Sequence, residues 1–151
     1  SKLIEDWADT TMASTCKKVL ITSALENPQL RSALLPDDFP PSIKGVIDKL
    51  PFNNVSKLSN IVLSNKNNID LQKILEALSK SLRNKKFLIG DSLSIADISI
   101  AAQLSLLKFP TSSGPILAGE GCQEFINNPY LENIFQWRDN LEELIFSAKS
   151  Q

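Results

Sequence analysis

Phe87-Leu88-Ile89-Gly90-Asp91-Ser92-Leu93-Ser94-Ile95-Ala96-Asp97-Ile98 is the stretch on which the fold of this chain turns. It spells a complete helix start. Ser94 is a natural N-cap, with a hydroxyl that can accept from the backbone N–H of Asp97. The Asp97 carboxylate can reach back to the N–H of Ser94 and close a capping box, with Asp in place of the commoner Glu. Leu93 before the cap and Ile98 at the fourth helical position are spaced as a hydrophobic staple. Gly90 supplies the turn that leads in. On cap energetics alone, Ser94→Ala or Asp97→Ala should each cost about 1–2 kcal/mol.

The helix that follows is unlike its neighbours. From Ile98 to Leu107 it carries no charge, and Ile95, Ile98, Ile100, Ala101, Ala102, Leu104, Leu106 and Leu107 fall all round it. A helix apolar on every side is expected to be surrounded by protein, and this one is too short to cross a bilayer. It therefore reads as a central pillar.

Helical periodicity dominates the rest of the chain and strand alternation is absent. Residues 2–25 predict a long first helix with Ile4, Ala8, Met12, Thr15, Cys16 and Val19 on its core stripe. Asn27-Pro28 reads as a cap followed by proline at the first helical position, opening a short helix to about Leu34. A second short helix is expected from Pro41 to about Leu50, and a weak one among the Asn- and Ser-rich residues 52–67. Asn68 is read as the cap of a firm helix with Leu71, Ile74, Leu75, Leu78 and Leu82 on one face. Asn128-Pro129 opens the last helix, with Leu131, Ile134, Trp137, Leu141, Leu144 and Ile145 turned inward. The whole is one all-α domain over 1–151, a helical bundle around residues 95–107.

Composition excludes much chemistry. The chain has no histidine, which removes Ser-His and Cys-His catalysis together with the commonest metal ligand. Carboxylates show no metal-loop spacing, and five glycines form no phosphate loop. Sixteen basic residues against 17 acidic ones give no electrostatic reason to expect nucleic acid or a membrane surface. Lys17-Lys18 and Arg83-Asn84-Lys85-Lys86 are short enough to be solvated faces or helix C-termini. Cys16 and Cys122 lie far apart, which suits free thiols in a reducing, cytoplasmic setting.

Leu88-Ile89-Gly90-Asp91-Ser92-Leu93-Ser94-Ile95-Ala96-Asp97 resembles the helix-start motif of the glutathione transferase C-terminal domain, most nearly that of bacterial and cyanobacterial proteins. Ile4-Glu5-Asp6-Trp7-Ala8-Asp9 resembles that domain's first helix, and Asn128 to Arg138 its late helix with a proline start and a Trp. The resemblance implies a second, thioredoxin-like domain that binds glutathione as co-substrate and carries the nucleophile. No βαβ pattern precedes the first helix here, so the chain reads as a fragment of a longer protein, without transferase activity alone. By resemblance it contributes one wall of a pocket for a small hydrophobic electrophile and part of a homodimer interface. The same helical fold also serves as a non-catalytic interaction module in translation-type assemblies, which is the alternative function.

For the pocket wall the resemblance points to the first helix, where Trp7, Thr10, Thr11 and Ser14 share one arc with Lys18. An aromatic beside hydroxyls suits an apolar cleft that orients a polar ligand; equally, Trp7 can cap the core edge while the hydroxyls bond back to their own helix. Cys16 lies on the core stripe as a small hydrophobe, whereas Cys122, after a glycine-rich loop, is the better candidate for a reactive thiol. Ser94 and Asp97 lack an accompanying base and are read as structural. No catalytic residue and no metal ligand is assigned. Arg138 is expected to pack its stem and pair its head with a carboxylate.

Overall fold

The computed structural model describes residues 2–35 and 65–150. The expected short helices within residues 41–50 and 52–67 lie outside these, apart from the last few residues of the second. Residues 2–26 form one helical rod: α1 (Lys2–Trp7), a π-helical stretch (Ala8–Met12) and α2 (Ala13–Glu26). Short α3 (Pro28–Leu34) follows, then α4 (Asn65–Ser81), α5 (Ile95–Leu107), α6 (Gln123–Ile126) and α7 (Glu132–Lys149). Among the described residues there is no strand, only one isolated antiparallel bridge between Lys108 and Gly121.

The core stripe of the rod explains its π turn. Ile4, Ala8, Met12 and Cys16 recur every fourth residue, a spacing wider than the 3.6-residue turn, so in a pure α-helix the stripe would drift off the core. The π turn between Ala8 and Met12 takes up the extra arc, and Ala8, Met12, Cys16 and Val19 are all buried. This stripe packs on α5, which also packs on α7, while α4 packs on α2, α7 and the 3₁₀ turn Pro129–Leu131. The core closes with Leu71, Leu75, Leu82, Phe87, Ile100, Leu104, Leu107, Phe125, Leu131, Ile134, Phe135, Trp137 and Leu141.

Three local expectations need correction. The chain is already helical at Asn65, so Asn68 lies in the first turn or beyond rather than at the cap. Ile74 is 44% exposed, because Leu71, Leu75 and Leu82 with half-buried Leu78 suffice to fill the contact. The last helix opens with the 3₁₀ turn at Pro129, Asn128 accepting from the Tyr130 N–H at 3.0 Å, before α7 begins at Glu132. By contrast Asn27 caps α3 through the N–H groups of Gln29 and Leu30, with Pro28 in the first turn as its sequence implies.

Helix α5 is central but not covered all round. Ala96, Asp97, Ile100, Ala101, Leu104 and Leu107 are buried; Ile95 (62%), Ile98 (47%) and Ala102 remain exposed. These three are spaced i, i+3, i+7 and form one strip. Leu93 and Ile98, spaced as a staple, both lie on the surface beside it.

At the helix start, Asp97 is wholly buried. Its Oδ2 accepts from the Ser94 N–H (2.8 Å) and the Ser94 hydroxyl (2.6 Å), and its Oδ1 accepts from the Leu88 N–H (2.7 Å). The return bond from the Asp97 N–H to the Ser94 hydroxyl is long, at 3.4 Å. One carboxylate therefore holds both the cap and the incoming turn nine residues away. Asp97→Ala leaves two N–H groups without their acceptor and should cost about 3 kcal/mol, a cap loss plus an unsatisfied buried donor. Ser94→Ala removes mainly the weaker partner and should cost about 1 kcal/mol. Equal urea midpoints for the two variants would refute this division.

Candidate functional site

The four residues proposed for a pocket wall lie together on the first rod, where the sequence puts them. Trp7 is half-buried and packs against the core, while Thr10, Thr11 and Ser14 are exposed. Thr10 and Thr11 sit on the π stretch, so their hydroxyls leave the rod at a phase that a regular helix would not give. The Thr10 hydroxyl donates to the Asp6 carbonyl at 2.5 Å, the back-bonding expected of an exposed helical threonine. The face is thus an aromatic edge beside small hydroxyls.

Neither thiol is poised for chemistry. Cys16 is fully buried, and burial pushes its pKa up to about 12. Cys122, the better candidate of the two for a reactive thiol, is buried as well; burial raises its pKa, although a hydrogen bond with the Ser23 side chain works in the opposite direction. Cys122 ends the loop rather than riding on it: its N–H donates to the Leu107 carbonyl at 2.9 Å, and its side chain joins the core. Two consequences are measurable. At pH 8 a maleimide should label both thiols far faster in urea than in the native chain, and fast native labelling of Cys122 would contradict its burial. A raised thiol pKa also favours the folded state only while the unfolded thiol stays protonated. The Cys16 contribution is therefore complete below pH 9 and is lost as pH rises toward about 12. Cys16→Ala should flatten that alkaline decline, measured by urea unfolding across the window.

Arg138 is 1% exposed, and its guanidinium is fully engaged. Nε and one terminal nitrogen donate to Asp139 Oδ1, each at 2.8 Å; the other terminal nitrogen donates to the Lys108 carbonyl. The same group stands 5.5 Å from the centre of the Phe135 ring. The Trp137 indole N–H donates to the Lys86 carbonyl at 3.0 Å, tying α7 to the approach to Phe87.

Two clefts were not foreseen from sequence. One, of about 300 Å³, lies between the end of α2 and the Gly121 corner and includes Ser23, Glu26, Asn27, Cys122 and Glu124. The other, about 490 Å³, lies on α4 and includes Lys73, Glu76, Ser79, Lys80, Arg83 and Tyr130. Part of the signal for the second was present: Lys73 and Lys80 are seven residues apart on one helical face, but the sequence reading grouped Arg83, in the turn after α4, with its chain neighbours instead. Among the described residues no group of three or more His, Cys, Asp or Glu is placed to hold a metal ion. Nor is any described helix long and apolar enough to cross a membrane.

The family model for the glutathione S-transferase C-terminal domain matches residues 52–143, more than half of the chain. The chain belongs to this family. No curated protein and no solved structure matches it. The matched span takes in the capped start of α5, all of α5, the loop to Gly121 and most of α7. The matched span thus holds most of the core, though Ala8, Met12, Cys16 and Val19 lie outside it. The rod bearing Trp7, Thr10, Thr11 and Ser14 lies outside the match.

Proposed function

We propose that this chain is the helical half of a glutathione transferase-like protein. It docks a thioredoxin-like domain that binds glutathione and supplies the nucleophile. With the Trp7, Thr10, Thr11 and Ser14 face it walls a pocket for a small hydrophobic electrophile, and the assembled protein is a cytoplasmic homodimer. The observation that carries this reading is the uncovered strip Ile95, Ile98 and Ala102 on the central helix. Helices pack apolar faces against something, and a strip on the helix that organises the core is an unfinished contact. The chemistry of the chain agrees: it has no histidine, and both thiols are buried.

The test joins two measurements. The chain alone, mixed with glutathione and an aryl halide, should give no conjugation above a mock preparation. The longer polypeptide carrying a thioredoxin-like segment ahead of Ser1 should conjugate. Ile98→Asp in that longer protein should loosen the domains and depress turnover, yet shift the melting of the isolated chain by about 0.5 kcal/mol or less, since Ile98 is already half exposed. Activity of the isolated chain, or an Ile98→Asp protein as active as the parent, would defeat the reading. A longer protein that folds with its domains docked but does not conjugate would favour the non-catalytic interaction module.

A further inference from the structure

The α4 cleft is the strongest feature that the transferase reading leaves unused. Three cations, Lys73, Lys80 and Arg83, line it, and among the described residues none of them is in an ion pair. The cleft also holds one carboxylate, Glu76, whose Oε1 accepts from the Asn128 amide at 2.9 Å; it keeps its charge, and the three cations outnumber it. Ser79 also lines it and is 2% exposed; its carbonyl accepts from the Asn133 amide, while its hydroxyl makes no hydrogen bond among the described residues. Tyr130 stands at the rim, 71% exposed, with its ring free to meet a ligand.

These features have a common chemistry. Like charges gathered around one concavity repel, and an anion entering it relieves that repulsion. The Ser79 hydroxyl, which lines the cleft and makes no hydrogen bond among the described residues, can donate to an anionic oxygen there. The helix C-terminus accounts for a cation at Lys80 or Arg83, but Lys73 lies mid-helix and gains nothing from the dipole. An exposed tyrosine beside the cations offers a flat apolar surface for a planar ring. The volume, about 490 Å³, exceeds what inorganic phosphate needs and falls in the range of small-molecule sites.

We propose that this cleft binds a phosphorylated small molecule bearing a planar ring, of the nucleoside diphosphate class. Phosphate oxygens lie against Lys73, Lys80, Arg83 and the Ser79 hydroxyl, and the ring lies on Tyr130. The site is independent of the Trp7 face and of any thioredoxin-like domain.

The experiment is an amide chemical-shift titration of the 151-residue chain with ADP, with pyrophosphate and with adenosine, free of added metal. ADP should give saturable shifts confined to residues 73–83 and Tyr130, pyrophosphate weaker ones, and adenosine the weakest. Lys80→Gln with Arg83→Gln should weaken ADP binding by at least about tenfold. Tyr130→Ala should weaken ADP but not pyrophosphate, and salt should weaken both. All three positions are exposed, so the variants should fold, as circular dichroism will verify. Shifts that do not saturate, or that appear equally at Lys17 and Lys18, overturn the proposal. So does ADP affinity unchanged in the charge variant, adenosine as tight as ADP, or saturable binding at this face by an acidic peptide but not by ADP.

Discussion

Gly121→Ala should abolish the cooperative fold or lower its stability by about 4 kcal/mol or more, the sum of a backbone clash and an unfavourable dihedral. A Cβ built at Gly121 falls 2.2 Å from the Leu107 carbonyl oxygen and 2.9 Å from the Lys108 Cα. Both are backbone atoms, and neither can swing aside. The residue also holds φ at +155°, where a side chain is strained. Gly121 sits where the loop after α5 returns: Phe109 N–H donates to the Glu120 carbonyl (2.8 Å), Gly119 N–H to the Phe109 carbonyl (2.9 Å), and Cys122 N–H to the Leu107 carbonyl (2.9 Å). Close approach is what makes those bonds possible. Gly90→Ala is the control. It too has a positive φ, +66°, but nothing lies within 4 Å of its Cβ, so it should cost about 1–2 kcal/mol, the dihedral penalty alone. Urea unfolding of the two variants should separate them clearly; a Gly121→Ala protein as stable as Gly90→Ala would show that the loop does not need this contact.

That contrast marks where sequence reasoning reached and where it stopped. The helix starts at Asn27 and Ser94 were legible because capping is local: a side chain satisfies N–H groups two or three residues away, and the spacing is written in the chain. The stripe Ala8, Met12, Cys16, Val19 was legible from its period, though the π turn that lets a four-residue repeat face one way was not. Gly121 could be seen only as one glycine in a loop. Its requirement comes from Leu107, fourteen positions earlier, and no local rule reports a return contact of that kind.

The candidate site follows the same division. Trp7, Thr10, Thr11 and Ser14 were grouped on the phase of a regular helix, and the π turn that carries Thr10 and Thr11 alters that phase. The burial of Cys122 was not legible because it depends on the Leu107 carbonyl and on Ser23 of a distant helix. The strip Ile95, Ile98 and Ala102 was hidden by its own composition. An all-apolar helix gives no clue to which side the chain itself covers and which it leaves for another domain.

Arg138→Ala should cost about 3 kcal/mol, because it empties the space of a buried side chain and leaves the Lys108 carbonyl without its donor, while Asp139, 39% exposed, turns to water. The Lys108 carbonyl loses its donor, Asp139 its cation, and the Phe135 ring the guanidinium above it. Lys108 is also the residue bridged to Gly121, so Arg138 holds the side of the return loop that Gly121 closes. The two variants therefore act on one structural unit and should not add: the double variant should be less destabilised than the sum, if it folds at all. Arg138→Lys tests the geometry. A lysine keeps the charge but cannot address the Asp139 carboxylate and the Lys108 carbonyl from one planar group, so it should recover less than half of the loss. Arg138→Met tests the alternative, that the stem matters more than the head. Asp139 is partly exposed and can be solvated once unpaired, whereas the half-buried Lys108 carbonyl is less readily reached by water, so Met should stay at least about 1 kcal/mol below the parent in urea unfolding. Recovery by Met to parental stability would mean that the guanidinium contributes nothing to the anchor, and that packing alone places α7 against the end of the central helix.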